Sequence, residues 1–191
     1  MLAYRNVKAI KWLQNLFKKC ESSSYIGENI SITNHQLQAA YLAQHKRPND
    51  REFIIAALLH DLGHMEEIGE KMDNYGIKNH EDIGATIATD KLFLTNRVGR
   101  LIKSHVPIKR YLCHIDSNYE KSLTEASRQT LKLQGGAMTK EEANIWKKDP
   151  DLQEYILLRK IDDLAKDPYL KVPPFEKYVT NISILQHTFI L

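Results

Sequence analysis

The sequence predicts an all-α fold, and three observations carry this prediction. Glycine and proline number only 8 and 6 among 191 residues, which leaves few positions for the tight turns that short strands need. Ser, Thr or Asn residues repeatedly stand just before amphipathic stretches, as they do at helix N-termini. No short segment between turn signals alternates clearly between apolar and polar residues, as a half-buried strand does. We therefore expect a helical bundle, folded as one domain over residues 1–191.

Apolar periodicity and start signals place the helices in order along the chain. The first helix, near 4–20, has its apolar residues on one face, and we expect that face to pack on the domain. Four capping patterns, each with Glu or Gln three residues after the cap, indicate later helix starts: Thr33–Gln36, Asn49–Glu52, Ser122–Glu125 and Thr139–Glu142. The predicted helices lie near 4–20, 34–45, 50–63, 80–93, 96–106, 122–134, 140–148 and 151–166.

The other boundaries rest on single residues. Further start signals are Asn79, then Thr95 or Asn96, and the break Asp149-Pro150-Asp151. Long loops, where function is often found, are predicted at 21–33, 64–79 and 107–121. The last of these follows from Pro107, which is expected to turn the chain. A further helix is predicted near 174–187, although the β-branched tail leaves residues 174–191 open between helix and strand.

Composition excludes several classes of protein. Cys20 and Cys113 are too few for a disulfide framework or a cysteine-rich zinc site, and we expect two reduced thiols. The net charge of +3 is too weak to indicate nucleic-acid binding. No run of roughly 18 apolar residues is present to span a membrane, and charged residues interrupt the N-terminal segment, unlike a secretory signal. We expect a cytoplasmic protein with neither nucleic-acid nor membrane partners.

One apolar segment ends in two residues that are able to bind a metal. Residues 53–59 are all apolar, and His60-Asp61 follow them directly. Burying an imidazole beside a carboxylate is costly unless a partner compensates them, and Zn, Fe or Mn ions are such partners. Further candidate ligands lie on helices predicted before and after this segment: His35, His80, His105 and Asp162. Each of these alone is explained as a capping or surface residue, whereas their joint order indicates a metal site.

The order His…His-Asp…Asp resembles the signature of the HD-domain superfamily. The resemblance implies a single HD-domain helical bundle with a metal site between its helices. The two intervening histidines resemble those of the superfamily's dinuclear subset. In that subset Asp61 would bridge two metals. The remaining ligands of the first metal would be His35, His60 and Asp162, and those of the second would be His80 and His105.

Longer motifs extend the match over about residues 20–175. They occupy 25–28, 40–44, 59–64, 80–85, 105–112, 123–131, 134–136 and 158–162. The most specific is the block Ser127–Leu131 with Gln134-Gly135-Gly136. These motifs resemble the PhnZ-like mixed-valent di-iron oxygenases, which cleave the carbon–phosphorus bond of 2-amino-1-hydroxyethylphosphonate. The resemblance implies two Fe ions, as Fe(II)/Fe(III). It also implies that a small 1-hydroxyphosphonate and O2 react to give phosphate and glycine or a betaine.

The resemblance also implies the residues that receive the substrate. A phosphonate is an anion that needs fixed donors, and the family's phosphonate pocket corresponds to His64, Lys109, Ser127, Thr130, Gln134 and Arg159. Arg159 would offer a bidentate fork to the phosphonate oxygens. Tyr25 would cap the free iron until the substrate arrives, and Glu28 would contact the amino group of the substrate. The expected catalytic residues are Tyr25, Glu28, His64 and Lys109.

Several alternatives stay open at the level of the sequence. Asp163 follows Asp162 directly, so the last ligand is ambiguous by one residue, although the spacings to Arg159 and Lys166 favour Asp162. A related enzyme takes a trimethylated aminophosphonate, and the sequence does not decide between a free amine and a trimethylammonium group. The main alternative function is an HD-type phosphohydrolase, a phosphomonoesterase or nucleotidase in which a metal-bound water attacks phosphorus. Six intact ligands disfavour a non-catalytic binding domain, and the phosphonate-pocket residues disfavour an inositol-oxygenase-like activity.

Overall fold

The computed structural model describes residues 2–25, 27–66 and 68–187. The regular secondary-structure elements within these ranges are all helices. The first half contains α1 (Leu2–Lys19), α2 (Ile32–Lys46), α3 (Arg51–Leu59), α4 (Leu62–Met65) and α5 (His80–Thr86), which continues into a π-helical turn (Ile87–Lys91). The second half contains α6 (Asn96–Ile115), α7 (Ser117–Ser122), α8 (Glu125–Leu133), α9 (Lys140–Trp146), α10 (Leu152–Leu164) and α11 (Glu176–His187). Within the described ranges, strand pairing is limited to two isolated bridges. The predicted all-α class is confirmed.

The centre of the bundle is α3. Its residues 53–59 are all within 1% of complete burial, as expected for a helix that is apolar on every side. Helices α2, α6, α10 and α11 pack around it. The amphipathic α1 contributes Leu13, Leu16 and Phe17 to the same core and packs on α11, which confirms the predicted helices at both ends of the chain. The core therefore surrounds the helix that delivers His60 and Asp61.

Helix starts follow the predicted chemistry, but three predicted caps are wrong by one or two residues. The predicted capping box of Thr139 and Glu142 is present, and Thr95 caps α6. Thr33 is not the cap of α2, because its hydroxyl donates to the Phe17 carbonyl at 2.8 Å and so joins α2 to α1. In each case a residue one or two positions away accepts the capping hydrogen bond from the first turn of the helix instead. The observed caps of α2, α3 and α8 are Ser31, Asp50 and Thr124, in place of Thr33, Asn49 and Ser122.

The loop predicted at 107–121 is wrong, because α6 continues through Pro107 to Ile115. Proline inside a helix costs about 3 kcal/mol, since it removes a hydrogen bond and clashes with the preceding turn. Here both flanks of Pro107 are buried in the bundle, including Val106, Ile108 and Tyr111, and this packing outweighs the cost. The consequence for the site is that His105 and Lys109 lie one turn apart on the same helix face.

The helix predicted at 50–63 is divided at its functional residues. Helix α3 ends at Leu59, and α4 begins at Leu62 after Asp61 leaves helical geometry (φ −101°, ψ 18°). His60 and Asp61 thus occupy a junction between two helices. Among the helices that the structure describes, none combines the length and hydropathy needed to span a bilayer.

Candidate metal centre

All six predicted ligand residues meet at one buried place between the helices. They come from α2, the α3–α4 junction, α5, α6 and α10, and each is at most 3% exposed: His35, His60, Asp61, His80, His105 and Asp162. So many buried imidazoles and carboxylates require a compensating partner.

The first ligand set consists of His35, His60 and Asp162 together with one oxygen of Asp61. The Nε2 atoms of His35 and His60 lie 3.0 Å apart. Asp162 Oδ1 lies 3.3 Å from the first and 3.6 Å from the second of these nitrogens. Asp61 Oδ2 faces the same pair at 3.5 and 3.6 Å. Four potential donor atoms therefore surround one small volume.

The second ligand set consists of His80 and His105 with the other oxygen of Asp61. Asp61 Oδ1 lies 3.4 Å from the Nε2 atom of each histidine, and these two nitrogens are 2.9 Å apart. The Asp61 carboxylate thus turns one oxygen to each ligand set, which is the arrangement needed to bridge two cations.

The outer ring nitrogens fix the tautomers of the four ligand histidines. Each Nδ1 atom lies 2.7–3.1 Å from a backbone carbonyl, namely that of Ala165, Ala57, Ile77 or Ile102. A carbonyl only accepts hydrogen bonds, so each Nδ1 carries a proton and, in the neutral ring, each Nε2 presents a lone pair. Lone pairs held about 3 Å apart repel one another unless a cation lies between them. The donor set therefore fits a pair of metal ions.

The carboxylates of the first ligand set favour positive charge at this position. Burial disfavours a charged imidazole, but the carboxylates of Asp61 and Asp162 outweigh it and raise the pKa of His60 to about 9. Burial would favour neutral acids, yet the Arg159 guanidinium and His60 hold the pKa of Asp162 well below its usual range. A metal ion and a proton compete for the same Nε2 lone pair, and this anionic set favours either one.

The structure places Asp162, and not Asp163, at the centre. Asp162 turns Oδ1 to the histidines and pairs through Oδ2 with Arg159, while Asp163 lies against Arg159 and the Tyr119 hydroxyl. Arg159 also donates from Nε to Tyr119 Oη at 3.2 Å. These contacts use three of the five guanidinium N–H groups. Arg159 therefore braces a candidate metal ligand in addition to lining the cavity.

A cavity of about 410 Å³, measured with its mouth, opens beside the second ligand set. It brings together every residue of the predicted phosphonate pocket: His64, Lys109, Ser127, Thr130, Gln134 and Arg159. The Lys109 ammonium donates to Thr130 Oγ1 at 2.9 Å. Burial, assisted by the charge of Arg159, lowers the pKa of Lys109 to about 7. Among the residues that the structure describes, the buried Oε1 atom of Gln134 has no hydrogen-bond partner. This is a small polar cavity suited to an anion.

His64 differs from the four ligand histidines in its tautomer. Its Nδ1 accepts a 2.9 Å hydrogen bond from the Ile77 N–H, so the proton of the neutral ring is on Nε2. Its ring stacks on His80 with 3.7 Å between centroids. Burial and the neighbouring His80 lower the pKa of His64 well below its usual range, which keeps the ring neutral. His64 is therefore equipped to donate a hydrogen bond and not to bind a metal.

The loop before α2, here called the gate loop (residues 21–25 and 27–31), brings Tyr25 and Glu28 to the same cavity. Tyr25 Oη donates to Asp61 Oδ2 at 2.7 Å, and its ring stacks on His35. Glu28 accepts a 2.6 Å hydrogen bond from Thr124 and lies 3.2 Å from Lys166 Nζ. Lys166 was not among the predicted site residues. The available signal was its position four residues after Asp162, which places it two residues beyond the end of α10.

A close contact between backbones holds the second ligand set. A Cβ atom at Gly63 would lie 2.2 Å from the His80 carbonyl oxygen, so only glycine allows α4 and α5 to approach this closely. Gly63, two residues after Asp61, is thus required for the close packing of α4 against α5. It lets α5 begin with His80 directly beside Asp61.

The fold and the site define a helical protein with a buried histidine–carboxylate centre that is built to hold metal. The HD domain family model matches residues 33–166, and the chain belongs to the HD-domain family. It is 33% identical over 168 residues to the 1-hydroxy-2-(trimethylamino)ethylphosphonate dioxygenase (glycine-betaine-forming) of Leisingera caerulea, covering 87% of this chain and 84% of that one. It is 39% identical over 171 residues to the hydroxymethylphosphonate dioxygenase of Gimesia maris, covering 86% and 83%. These relatives confirm the resemblance to the PhnZ-like family.

Proposed function

We propose that this chain, as a single domain, is an iron-dependent dioxygenase that cleaves the carbon–phosphorus bond of a small 1-hydroxyphosphonate. One observation carries the proposal. Asp61 divides its two oxygens between two histidine pairs, directly beside a cavity lined by Lys109, Arg159 and hydroxyl groups. A dinuclear centre next to an anion pocket matches a substrate that has one oxygen on carbon and others on phosphorus. The similarity to two phosphonate dioxygenases supports the same reaction.

Iron fits the proposed ligands, because non-haem iron is held by imidazoles and carboxylates with open positions. When bound as Fe(II)/Fe(III) by these four histidines and two aspartates, the two ions would supply the activation of O2. The residues of the chain would contribute the metal ligands and fix their orientation. Their carbonyl partners hold one proton on Nδ1 of His35, His60, His80 and His105 and so aim Nε2 of each ring at the centre.

The phosphonate would be bound by donors already present in the cavity. Lys109 and Arg159 supply positive charge, and Ser127 and Thr130 supply hydroxyls. His64 would donate a hydrogen bond from Nε2, and Gln134 would donate one from its amide nitrogen. Fixed donors on several helices would hold the C1 carbon in one orientation toward the metal centre and leave little room for water.

The gate loop would control access to the centre. The Tyr25 hydroxyl is hydrogen-bonded to Asp61 and would have to move to let the substrate reach the ligand residues. Glu28 lies at the cavity and would face the group at C2 of the substrate. The products of this reaction would be inorganic phosphate and glycine or a betaine, depending on that group.

The test is release of phosphate from a panel of 1-hydroxyphosphonates by protein reconstituted with Fe(II) and a reductant. The panel includes hydroxymethylphosphonate and the 2-amino and 2-trimethylammonio forms of 1-hydroxyethylphosphonate. We expect phosphate release that depends on O2 and a mixed-valent signal in electron paramagnetic resonance. Release of phosphate from phosphomonoesters that continues under argon would instead identify a phosphohydrolase.

A further inference from the structure

We propose that Tyr119 is a positioning residue for phosphonate binding, because its hydroxyl holds the Arg159 guanidinium in place at the cavity. Tyr119 is not among the described residues that line this cavity, so it would act through Arg159 and not by contact with the ligand. This inference rests on the proposed function for the identity of the ligand. It gives a role to a residue of the short helix α7 that the sequence motifs left unassigned.

Arg159 is a long side chain in a buried position. It is 4% exposed, lines the cavity, and pairs through Nη1 with Oδ2 of Asp162. An arginine side chain has several rotatable bonds, and any freedom that it keeps in the unbound protein is lost when an anion binds. Contacts that fix the guanidinium before binding therefore increase the affinity for the anion.

The Tyr119 hydroxyl joins Arg159 to Asp163. Arg159 donates from Nε to Tyr119 Oη at 3.2 Å, and Tyr119 Oη donates to Asp163 Oδ2 at 2.6 Å. Burial raises the pKa of Tyr119 well above its usual range, so the phenol keeps the one proton that it donates. Because that proton points to Asp163, a lone pair of the hydroxyl oxygen accepts from Nε. Asp163 also accepts from Nη2 of Arg159, which closes a ring of three side chains.

The Tyr119 ring is itself held by apolar packing. It lies against a small core cluster of Cys113, Leu123 and Leu131, each at most 6% exposed. Cys113 belongs to α6 and Leu131 to α8, the two helices that supply the lysine and the hydroxyl groups of the phosphonate pocket. The Tyr119 hydroxyl therefore has a fixed place relative to those donors, and it holds Arg159 at that place.

The contact with Tyr119 differs in kind from the two carboxylate contacts of Arg159. Asp162 and Asp163 lie on α10, the same helix as Arg159, so their ion pairs do not connect the guanidinium to another element. Tyr119 lies 40 residues away in the chain and joins Arg159 to α7. Its hydroxyl is neutral, so it fixes the guanidinium without adding a negative charge that would repel the phosphonate.

The experiment measures binding of hydroxymethylphosphonate to the iron-loaded protein by calorimetry under argon. Without O2 the proposed reaction does not proceed, and this ligand carries no group at C2. The test variant is Tyr119→Phe, which keeps the ring packing and removes only the hydroxyl. Tyr178→Phe is the matched control, since Tyr178 is 1% exposed and its hydroxyl has no hydrogen-bond partner within the described part of the chain.

We expect Tyr119→Phe to weaken hydroxymethylphosphonate binding about three- to tenfold, and Tyr178→Phe to leave it unchanged. The decisive comparison repeats Tyr119→Phe in an Arg159→Met protein. If the hydroxyl acts through Arg159, its removal has no further effect there. Azide, a small anion that binds iron, is titrated in parallel, and Tyr119→Phe should not change its affinity. This second probe keeps the test decisive if the Arg159→Met protein does not retain iron.

Three results would overturn the inference. Tyr119→Phe could leave phosphonate binding unchanged, could weaken it equally with and without Arg159, or could weaken azide and phosphonate alike, which would place its effect at the metal centre. No binding to the unmodified protein would overturn the phosphonate pocket and the inference together. All these measurements are independent of turnover. Binding that depends on Tyr119, without any phosphate release in O2, would overturn the proposed function and leave the role of Tyr119 standing.

Discussion

The Tyr25 hydroxyl donates a 2.7 Å hydrogen bond to Asp61 Oδ2, the carboxylate oxygen that faces His35 and His60. The Tyr25 ring lies 4.1 Å from the His35 ring and nearly parallel to it. Burial, followed by the charge of Asp61, raises the pKa of Tyr25 well above its usual range, so the phenol remains a hydrogen-bond donor. The gate loop is thus joined to the Asp61 carboxylate by a neutral hydrogen-bond donor.

Tyr25→Phe should therefore bind substrate more readily and fold less stably. The substrate no longer has to displace the phenol, so KM for the phosphonate should fall. Without metal, Asp61 loses a buried donor, which should lower the free energy of unfolding by about 1–2 kcal/mol. Urea denaturation and steady-state kinetics measure the two effects. Tyr169→Phe, at a side chain that is 88% exposed, should change neither. An unchanged KM and an unchanged stability together would contradict the gating role.

His105→Ala should remove one metal ion and leave the other. The second ligand set would retain only His80 and one oxygen of Asp61, whereas the first set keeps all its donors. We expect the metal content after anaerobic reconstitution to fall from two ions per chain to one. His114→Ala, an exposed histidine of the same helix, should retain two. A protein that saturates with one ion before any substitution would contradict the dinuclear centre.

Phosphonate binding should weaken as the pH rises through the pKa of Lys109, which burial lowers to about 7. Below that pH the ammonium is charged and attracts the anion, and above it the charge is lost. Lys109→Arg stays charged throughout this range, so the affinity ratio of unmodified to variant protein should fall between pH 6 and 9. The titration of the phosphonate itself cancels in the ratio. Lys103→Arg, on an exposed part of α6, should give a flat ratio, and a flat ratio for Lys109→Arg would refute the prediction.

Gly63→Ala should damage the second ligand set selectively. The added Cβ would lie 2.2 Å from the His80 carbonyl oxygen, so α4 and α5 have to separate. We expect a loss of about 1–3 kcal/mol in unfolding free energy and a weaker second metal ion, with the first ion retained. Thermal denaturation and metal analysis measure these effects. Gly84→Ala, whose closest contact would be 3.2 Å, should be milder, and equal effects would argue against the proposed close contact.

The positions and partners of Lys109 and Arg159 depend on contacts that neighbouring residues in the sequence do not reveal. Pro107 predicts a turn, but burial of its neighbours keeps α6 helical and places Lys109 one turn after His105. Arg159 was predicted as a fork for phosphonate, and only the folded chain reveals that Asp162, Asp163 and Tyr119 occupy three of its N–H groups. Both outcomes depend on packing between segments that are far apart in the chain, so a short stretch of sequence does not predict them.

The sequence by itself determined the helical class, the apolar helix before His60 and the order of the six candidate ligands, because periodicity and residue chemistry are local properties. The tertiary structure alone decided which of two adjacent aspartates faces the histidines. It also decided that Asp61 points one oxygen to each ligand set and that Lys166 joins the gate loop to the cavity. The reason is distance along the chain: His35 is oriented by the carbonyl of Ala165, 130 residues away, and only folding brings such groups together.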